Sequence, residues 1–175
     1  MPIDAALTQW LYACAQVLPR GVVVFFASYA IWVMGAALLL ALYRRRESYG
    51  AFALIAASAL AAYGANAGIG FFVPRARPFV SGIVEPFINT AHLAGSFPSD
   101  HAAIAWSLAC AYALLPNTKN AWLFFCLAFL VSIGRVAAGV HFASDAAFGA
   151  VVGVIAAWVV SRIARHPGAR AIFSR

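Results

Sequence analysis

Three histidines, three arginines and three carboxylates fall in two short polar stretches of this chain, and the types and spacing of most of them suit the handling of phosphate. The first stretch, Arg75 to His101, holds Arg77 and the tetrapeptide Pro98-Ser99-Asp100-His101; the second opens on Gly134-Arg135 and runs to His141 and Asp145. The tetrapeptide stands where a loop turns into a helix. Ser99 or Asp100 can therefore cap that helix, and the free N–H groups of its first turn face whatever lies in front of them. His141 and Asp145 are four residues apart, which places them on one face of a helix. A carboxylate so placed holds the imidazole in one tautomer and stabilises its cationic form, leaving a competent nucleophile or base. Arg77 and Arg135 add planar, permanently charged forks that match phosphoryl oxygens and hold the charge developing during transfer. With no metal-ligand spacing among these residues, the set points to phosphoryl transfer through a covalent phosphohistidine.

The rest of the chain is written for lipid. Of its 175 residues 65% are hydrophobic and only 10% charged, with a mean hydropathy of +0.88; soluble domains run at roughly 45–50% apolar and about 25% charged. Ionisable groups are costly beside hydrocarbon and are seldom kept there without a task, which strengthens the functional reading of the two clusters. The length admits one membrane-embedded domain over 1–175, with 70–145 carrying the motifs, and no separate soluble domain. A net charge of +7 raises nucleic acid as a partner. Lys and Arg nevertheless sit at the ends of apolar runs, where they set orientation or meet lipid headgroups, so a lipid partner and no nucleic acid is expected. Cys14, Cys110 and Cys126 lie in apolar stretches without CxxC or Cys/His spacing, so neither a disulfide framework nor a zinc site is expected.

Apolar periodicity predicts an all-α integral membrane bundle of five or six spans. Gly21–Tyr43 is nearly continuous apolar sequence of crossing length and ends at Arg44-Arg45-Arg46. Gly50–Val73 is rich in Ala and Gly, which lets its backbone approach neighbours closely, and Pro74 ends it. Pro78, Gly82, Pro86 and Gly95 make 75–97 a long loop, and that length hints at function. His101–Leu115, Ala121–Ala138 and His141–Arg162 complete five spans. Residues 1–20 form either an interfacial amphipathic helix, with Leu7, Trp10, Leu11, Cys14, Val17 and Leu18 at helical spacing, or a sixth, tilted span.

Five crossings with Arg44 to Arg46 in the cytoplasm put Lys119 and the basic tail, 163–175, on that same side. The same count sends both polar clusters to the opposite face, where they meet. Nothing in the counting required that agreement.

The segments Arg77-Pro78, Pro98-Ser99-Asp100-His101 and Gly134-Arg135-x5-His141-x3-Asp145 resemble the three-part signature of the type 2 phosphatidic acid phosphatase superfamily. That resemblance implies a membrane phosphatase with His141 as nucleophile, Asp145 as its orienting partner and His101 as the acid that protonates the leaving oxygen. It makes Arg77, Ser99 and Arg135 phosphate ligands, with no metal or other cofactor. Three departures stand out. Gly70 occupies the place of a motif lysine, Asp100 that of a glycine and Gly134 that of a serine. Arg75 is expected to restore the missing charge, and Asp100 to join the phosphate site. The Asp100 variant is similar to the bacitracin-resistance type of undecaprenyl pyrophosphate phosphatase. The expected activity is thus hydrolysis of undecaprenyl pyrophosphate at the outer face of a bacterial cytoplasmic membrane.

Competing readings remain open at this level. The site suits phosphatidylglycerol phosphate, phosphatidic acid or a lipid A phosphate, or phosphate transfer between lipids. The missing lysine also fits a non-catalytic lipid-binding or transport subunit. The arginines taken singly fit interfacial snorkelling, Asn66 a hydrogen bond between helices, and His92 and Glu85 a solvated loop.

Overall fold

The structure is a computed structural model and describes residues 3–88 and 95–166. His92 lies outside the described residues, as does the tail beyond His166. The described chain is helical throughout, without strands: α1 (Ile3–Gln16), α2 (Arg20–Arg44), α3 (Tyr49–Phe72), α4 (Asp100–Ala113), α5 (Ala121–Ala137) and α6 (Ala143–Ala164). Three of these, α2, α3 and α6, are long and apolar enough to cross a bilayer. The apolar helix α5, with 17 residues, and α4, with 14, are shorter. The start of the supposed tail belongs to α6, which continues to Ala164.

Apolar stripes of these helices meet in one core. Met34, Leu38 and Leu42 of α2 repeat at four-residue intervals and pack with Ile55 of α3, Tyr112 of α4, Phe124 and Val131 of α5 and Ala157 of α6. At one end of the bundle Arg45 clamps the helices together. Its guanidinium donates to the carbonyls of Pro116 at 2.6 Å and Asn117 at 2.8 Å and pairs with Glu47 at 2.8 Å.

The closest helix contact is α4 against α6. A Cβ on Gly149 would lie 2.5 Å from the Ser99 carbonyl, and one on Gly153 would overlap the carbonyl of Ala103. Small residues at this seam let two backbones touch, the packing mode available in lipid. The second span, where such packing is also expected, lies against both α4 and α6 and buries Gly50, Ala51, Ser58 and Ala62. Gly64 and Gly68 of α3 face open space, whereas Gly70 closes on the Phe97 carbonyl. Composition announces that small residues are present; it does not say which face they occupy.

With 14 residues α1 rises about 21 Å, short of a roughly 30 Å hydrocarbon core. It lies against the loop and turn at the site's end of the bundle. Tyr12 meets the Phe87 ring, Ala15 packs with Val23, Ala138 and Val140, and Leu11 packs with Ala102, Val136 and Ala146. Ile3, Trp10 and Val17 stay exposed on its outer side.

Candidate active site

The polar residues of both clusters converge because α4 and α6 begin side by side. The Ser99 amide donates to the Asp145 carbonyl at 3.1 Å, tying the first turn of one helix to the first turn of the other. Between α5 and α6 the chain reverses at Gly139, whose φ of +75° is the left-handed conformation that glycine takes without strain. A side chain there would also press on Val84. That reversal brings His141 back beside Arg135.

His141 is buried, and the structure corrects how it is held. It does not lie on the helix with Asp145; it sits in the turn before α6, which starts at Ala143. Its Nδ1 is 2.7 Å from the Ser96 carbonyl, and a carbonyl only accepts, so Nδ1 carries the proton and donates. Asp145 stands further off, at 3.7 Å. Nε2 is left with its lone pair, 3.4 Å from Nη1 of Arg77. Burial holds the imidazole pKa below its ordinary value, aided by the charges of Arg135 and Arg77 and opposed by the Asp145 carboxylate. The ring is thereby kept neutral, the form a nucleophile needs.

Arg77 and Arg135 are both buried and both line one cavity of about 550 Å³ with Asp100, His101 and His141. Arg77 donates to the carbonyls of Val140 at 2.8 Å and Gly95 at 3.2 Å, which fixes the plane of its fork. Arg135 donates through Nη1 to the carbonyl of Ala27 at 2.9 Å. Ala27 lies in a π-helical turn of α2, Phe25–Tyr29. Wide turns of this kind loosen the regular hydrogen-bond ladder and recur at functional sites. Nε of Arg135 and Oγ of Ser99 are buried without a hydrogen-bond partner, a costly state that an anion's oxygens would relieve. The same cavity continues along Ile31, Trp32 and Gly35 of α2, Tyr63 of α3, and Ile104 and Leu108 of α4.

Of the eight residues singled out from sequence, five line this cavity: Arg77, Asp100, His101, Arg135 and His141. Ser99 lies buried at the N-cap of α4, and its side chain makes no capping hydrogen bond. Asp145 sits fully buried behind His141, its Oδ2 accepting from the Phe142 amide at 2.8 Å and from the Ser96 hydroxyl. Arg75 overturns expectation. It turns away from the cavity, stacks 3.9 Å over the Phe142 ring, and donates to Asp145 at 2.5 Å, Asp4 at 2.6 Å and Ser144 at 2.7 Å. Its charge is committed to carboxylates, so it does not stand in for the absent lysine.

Two of the three departures, Gly70 and Gly134, sit at close backbone contacts. A side chain at Gly70 would bring its Cβ to 3.1 Å from the Phe97 carbonyl, a tight contact to which the Pro98 segment would have to yield by a few tenths of an ångström. A Cβ on Gly134 would fall 2.7 Å from the backbone of Phe26, inside the π-helical turn that holds Arg135. Asn66 forms the expected bond between segments, donating to the Pro98 carbonyl at 3.1 Å and to Asp100 at 2.5 Å. Asp4, Thr8, Ser96 and Ser144 were missed. The signal for Asp4 was present: the chain has only five Asp and Glu residues, and a carboxylate kept in so apolar a sequence warrants a search for its partner.

A helical bundle with three membrane-length helices, enclosing a cavity lined by two arginines and two histidines, has the frame of an integral membrane protein. The chain belongs to the PAP2 superfamily, whose sequence model matches residues 49–167. Among curated proteins it is 39% identical over 83 residues to the bacitracin transport permease protein BcrC of Bacillus licheniformis, covering 47% of this chain and 38% of that one. It is 33% identical over 87 residues to YbjG of Escherichia coli (strain K12), described as a candidate undecaprenyl-diphosphatase, covering 50% and 43%. The aligned parts span less than half of either relative's length. Among solved structures, Aquifex aeolicus LpxE superposes with a TM-score of 0.72 at 21% identity, over 93% of this chain and 96% of that one. A PAP2 type phosphatidylglycerolphosphate phosphatase from Bacillus subtilis gives 0.60 at 21% identity, over 93% and 87%. At that identity the likeness establishes the shared helical fold.

Proposed function

We propose that the chain is a lipid phosphatase that hydrolyses a polyprenyl pyrophosphate, with undecaprenyl pyrophosphate as the preferred substrate. The observation that carries this reading is the two-ended cavity. One end presents Arg77, Arg135, His101 and His141, and the other an apolar wall of Ile31, Trp32, Ile104 and Leu108. Such a cavity fits an amphiphile, with its terminal phosphate against the arginines and its hydrocarbon along α2 and α4. Support for the pyrophosphate comes from the similarity to YbjG and from the resemblance that Asp100 carries in the second motif.

In this mechanism Nε2 of His141 attacks the terminal phosphorus in line, and the bond to the lipid-linked bridging oxygen breaks. His101 gives that oxygen its proton. Water then cleaves the phosphohistidine, with His101 taking the water's proton, so inorganic phosphate leaves and both imidazoles are regenerated. The arginine forks and the Ser99 hydroxyl hold the equatorial oxygens, the part that magnesium plays in many phosphoryl-transfer enzymes. Turnover is accordingly expected to survive a chelator. Helices α2, α3 and α6 would cross a bacterial cytoplasmic membrane, with the shorter α4 and α5 completing five passes from inside the bundle, where protein rather than lipid flanks their ends. Arg44 to Arg46 and Lys119 at the clamped end would then face the cytoplasm and the cavity the exterior.

Release of phosphate from a panel of lipid phosphates in detergent tests the reading. Undecaprenyl pyrophosphate should be preferred, radiolabel from its terminal phosphate should appear on His141, and His141→Gln should lose both. Full turnover by His141→Gln would refute the nucleophile, and preference for a phospholipid monophosphate would refute the substrate.

A further inference from the structure

Asp145 is a carboxylate buried completely, and a buried charge is tolerated only when fully compensated. Its cationic partner is Arg75, bound at 2.5 Å. Arg75 is a third exposed and would be free to swing away, but Asp4 pins its other amino group at 2.6 Å and the Phe142 ring supports its face. Asp4 is itself fixed on both oxygens. Oδ1 accepts from the Ser144 amide at 2.9 Å, and Oδ2 from the Ser144 hydroxyl at 2.6 Å. Thr8, one turn further along α1, accepts from the amide of Ala143 at 3.1 Å. The N-terminal helix thus satisfies the first free amides of α6, the helix that carries Asp145. Burial alone would raise the pKa of Asp4; the bonds from Ser144 and Arg75 outweigh it, and the pKa is lowered, so Asp4 stays anionic.

We propose that Asp4 and Arg75 are positioning residues for the reaction, a relay from the N-terminal helix that fixes the Asp145 carboxylate and, through Asp145 and Ser96, the ring of His141. This rests on the phosphatase reading above. Neither Asp4 nor Arg75 lines the cavity, so neither contacts substrate directly. Their effect belongs to the fraction of time in which Nε2 is aligned for attack, and it should therefore appear in kcat. Asp4 acts only by holding Arg75 and Ser144, so removing Arg75 should erase most of what Asp4 contributes.

Full-length Asp4→Asn, Arg75→Gln, Arg75→Lys and the Asp4→Asn/Arg75→Gln pair separate this role from folding. On the lipid pyrophosphate, Asp4→Asn should lower kcat about tenfold and Arg75→Gln about a hundredfold, with KM within about twofold of wild type. The pair should match Arg75→Gln alone, and Arg75→Lys should recover part of the loss. A second readout is independent of turnover: the rate at which diethyl pyrocarbonate modifies His141, followed by peptide mass spectrometry, should change several-fold in Asp4→Asn. Wild-type kcat in Asp4→Asn, losses that multiply in the pair, or a loss confined to KM would overturn the proposal. If a variant's thermal midpoint drops, the His141 labelling rate measured well below that midpoint decides: an unchanged rate overturns the relay. An absence of turnover by the wild-type protein on every lipid phosphate would refute the phosphatase reading itself, whereas active wild type with unaltered Asp4→Asn refutes only the relay.

Discussion

Each arginine of the site is identified by what its nitrogens already hold. Arg135 spends Nη1 on the Ala27 carbonyl and keeps a buried Nε without a partner. A lysine offers one point charge and cannot serve both directions. Arg135→Lys should therefore lower kcat/KM by about 10², the usual cost of losing one preorganised donor to a developing anion, measured as initial rates of phosphate release. For His141 the pH dependence follows from its environment. Its depressed pKa leaves the ring unprotonated at pH values where a free imidazole, near 6.5, is already half protonated. The acid limb of kcat/KM is accordingly expected below about pH 6.5. Asp145 pulls the His141 pKa upward, so Asp145→Asn should move that limb to still lower pH as well as reducing the rate.

At the scale of elements, glycines decide which helices may touch. Gly153→Leu would force α6 off the backbone of α4, and Gly134→Ala would force α5 off the π-helical turn of α2. Overpacking of this kind costs about 1–3 kcal/mol, occasionally more. Both variants should lower the thermal midpoint in detergent, with Gly153→Leu the more severe because its obstruction is a carbonyl deep in the seam. Gly64→Ala, which meets open space, serves as the neutral control.

The helices themselves were legible from sequence, since every apolar run became a helix and each boundary moved by only a few residues. Both histidines and the two cavity arginines were legible too, because ionisable groups stand out against such a background. The partners that orient them were not. Ser96 acts through its carbonyl, which any residue possesses, and Asp4 meets Asp145 across 141 positions of sequence by way of Arg75. Neither local spacing nor periodicity encodes contacts of that kind. The error about Arg75 has the same origin: its charge could be read from sequence but its direction could not.

For the molecule as a whole, depth and shape govern what reaches the histidines. Asn66 of α3 is level with Asp100, yet α3 continues to Phe72, about 9 Å further at the helical rise. The site is therefore sunk below the end of α3, and its apolar limb is lined by α2, α3 and α4. Gly35 lines that limb with nothing within 4 Å of its missing Cβ, so a side chain added there starts in open space. Gly35→Leu should raise KM for a long polyprenyl pyrophosphate about tenfold and leave kcat/KM for a short, water-soluble prenyl pyrophosphate nearly unchanged. Equal effects on both would show that the hydrocarbon lies elsewhere.

The single widened turn at Phe25–Tyr29 sets the phase of everything after it in α2. Upstream of its end, Ala27 gives its carbonyl to Arg135; downstream, Ile31 and Gly35 face the cavity while Met34, Leu38 and Leu42 fill the core. A widened turn holds about one residue more than a regular one, so deleting a residue within it would return a regular helix without the carbonyl arrangement that holds Arg135, whereas deleting one elsewhere in α2 would rotate one half against the other by about 100°. The first change would cost Arg135 its anchor and the second would cost the cavity its apolar wall, so this helix should accept substitutions far more readily than any change in its length.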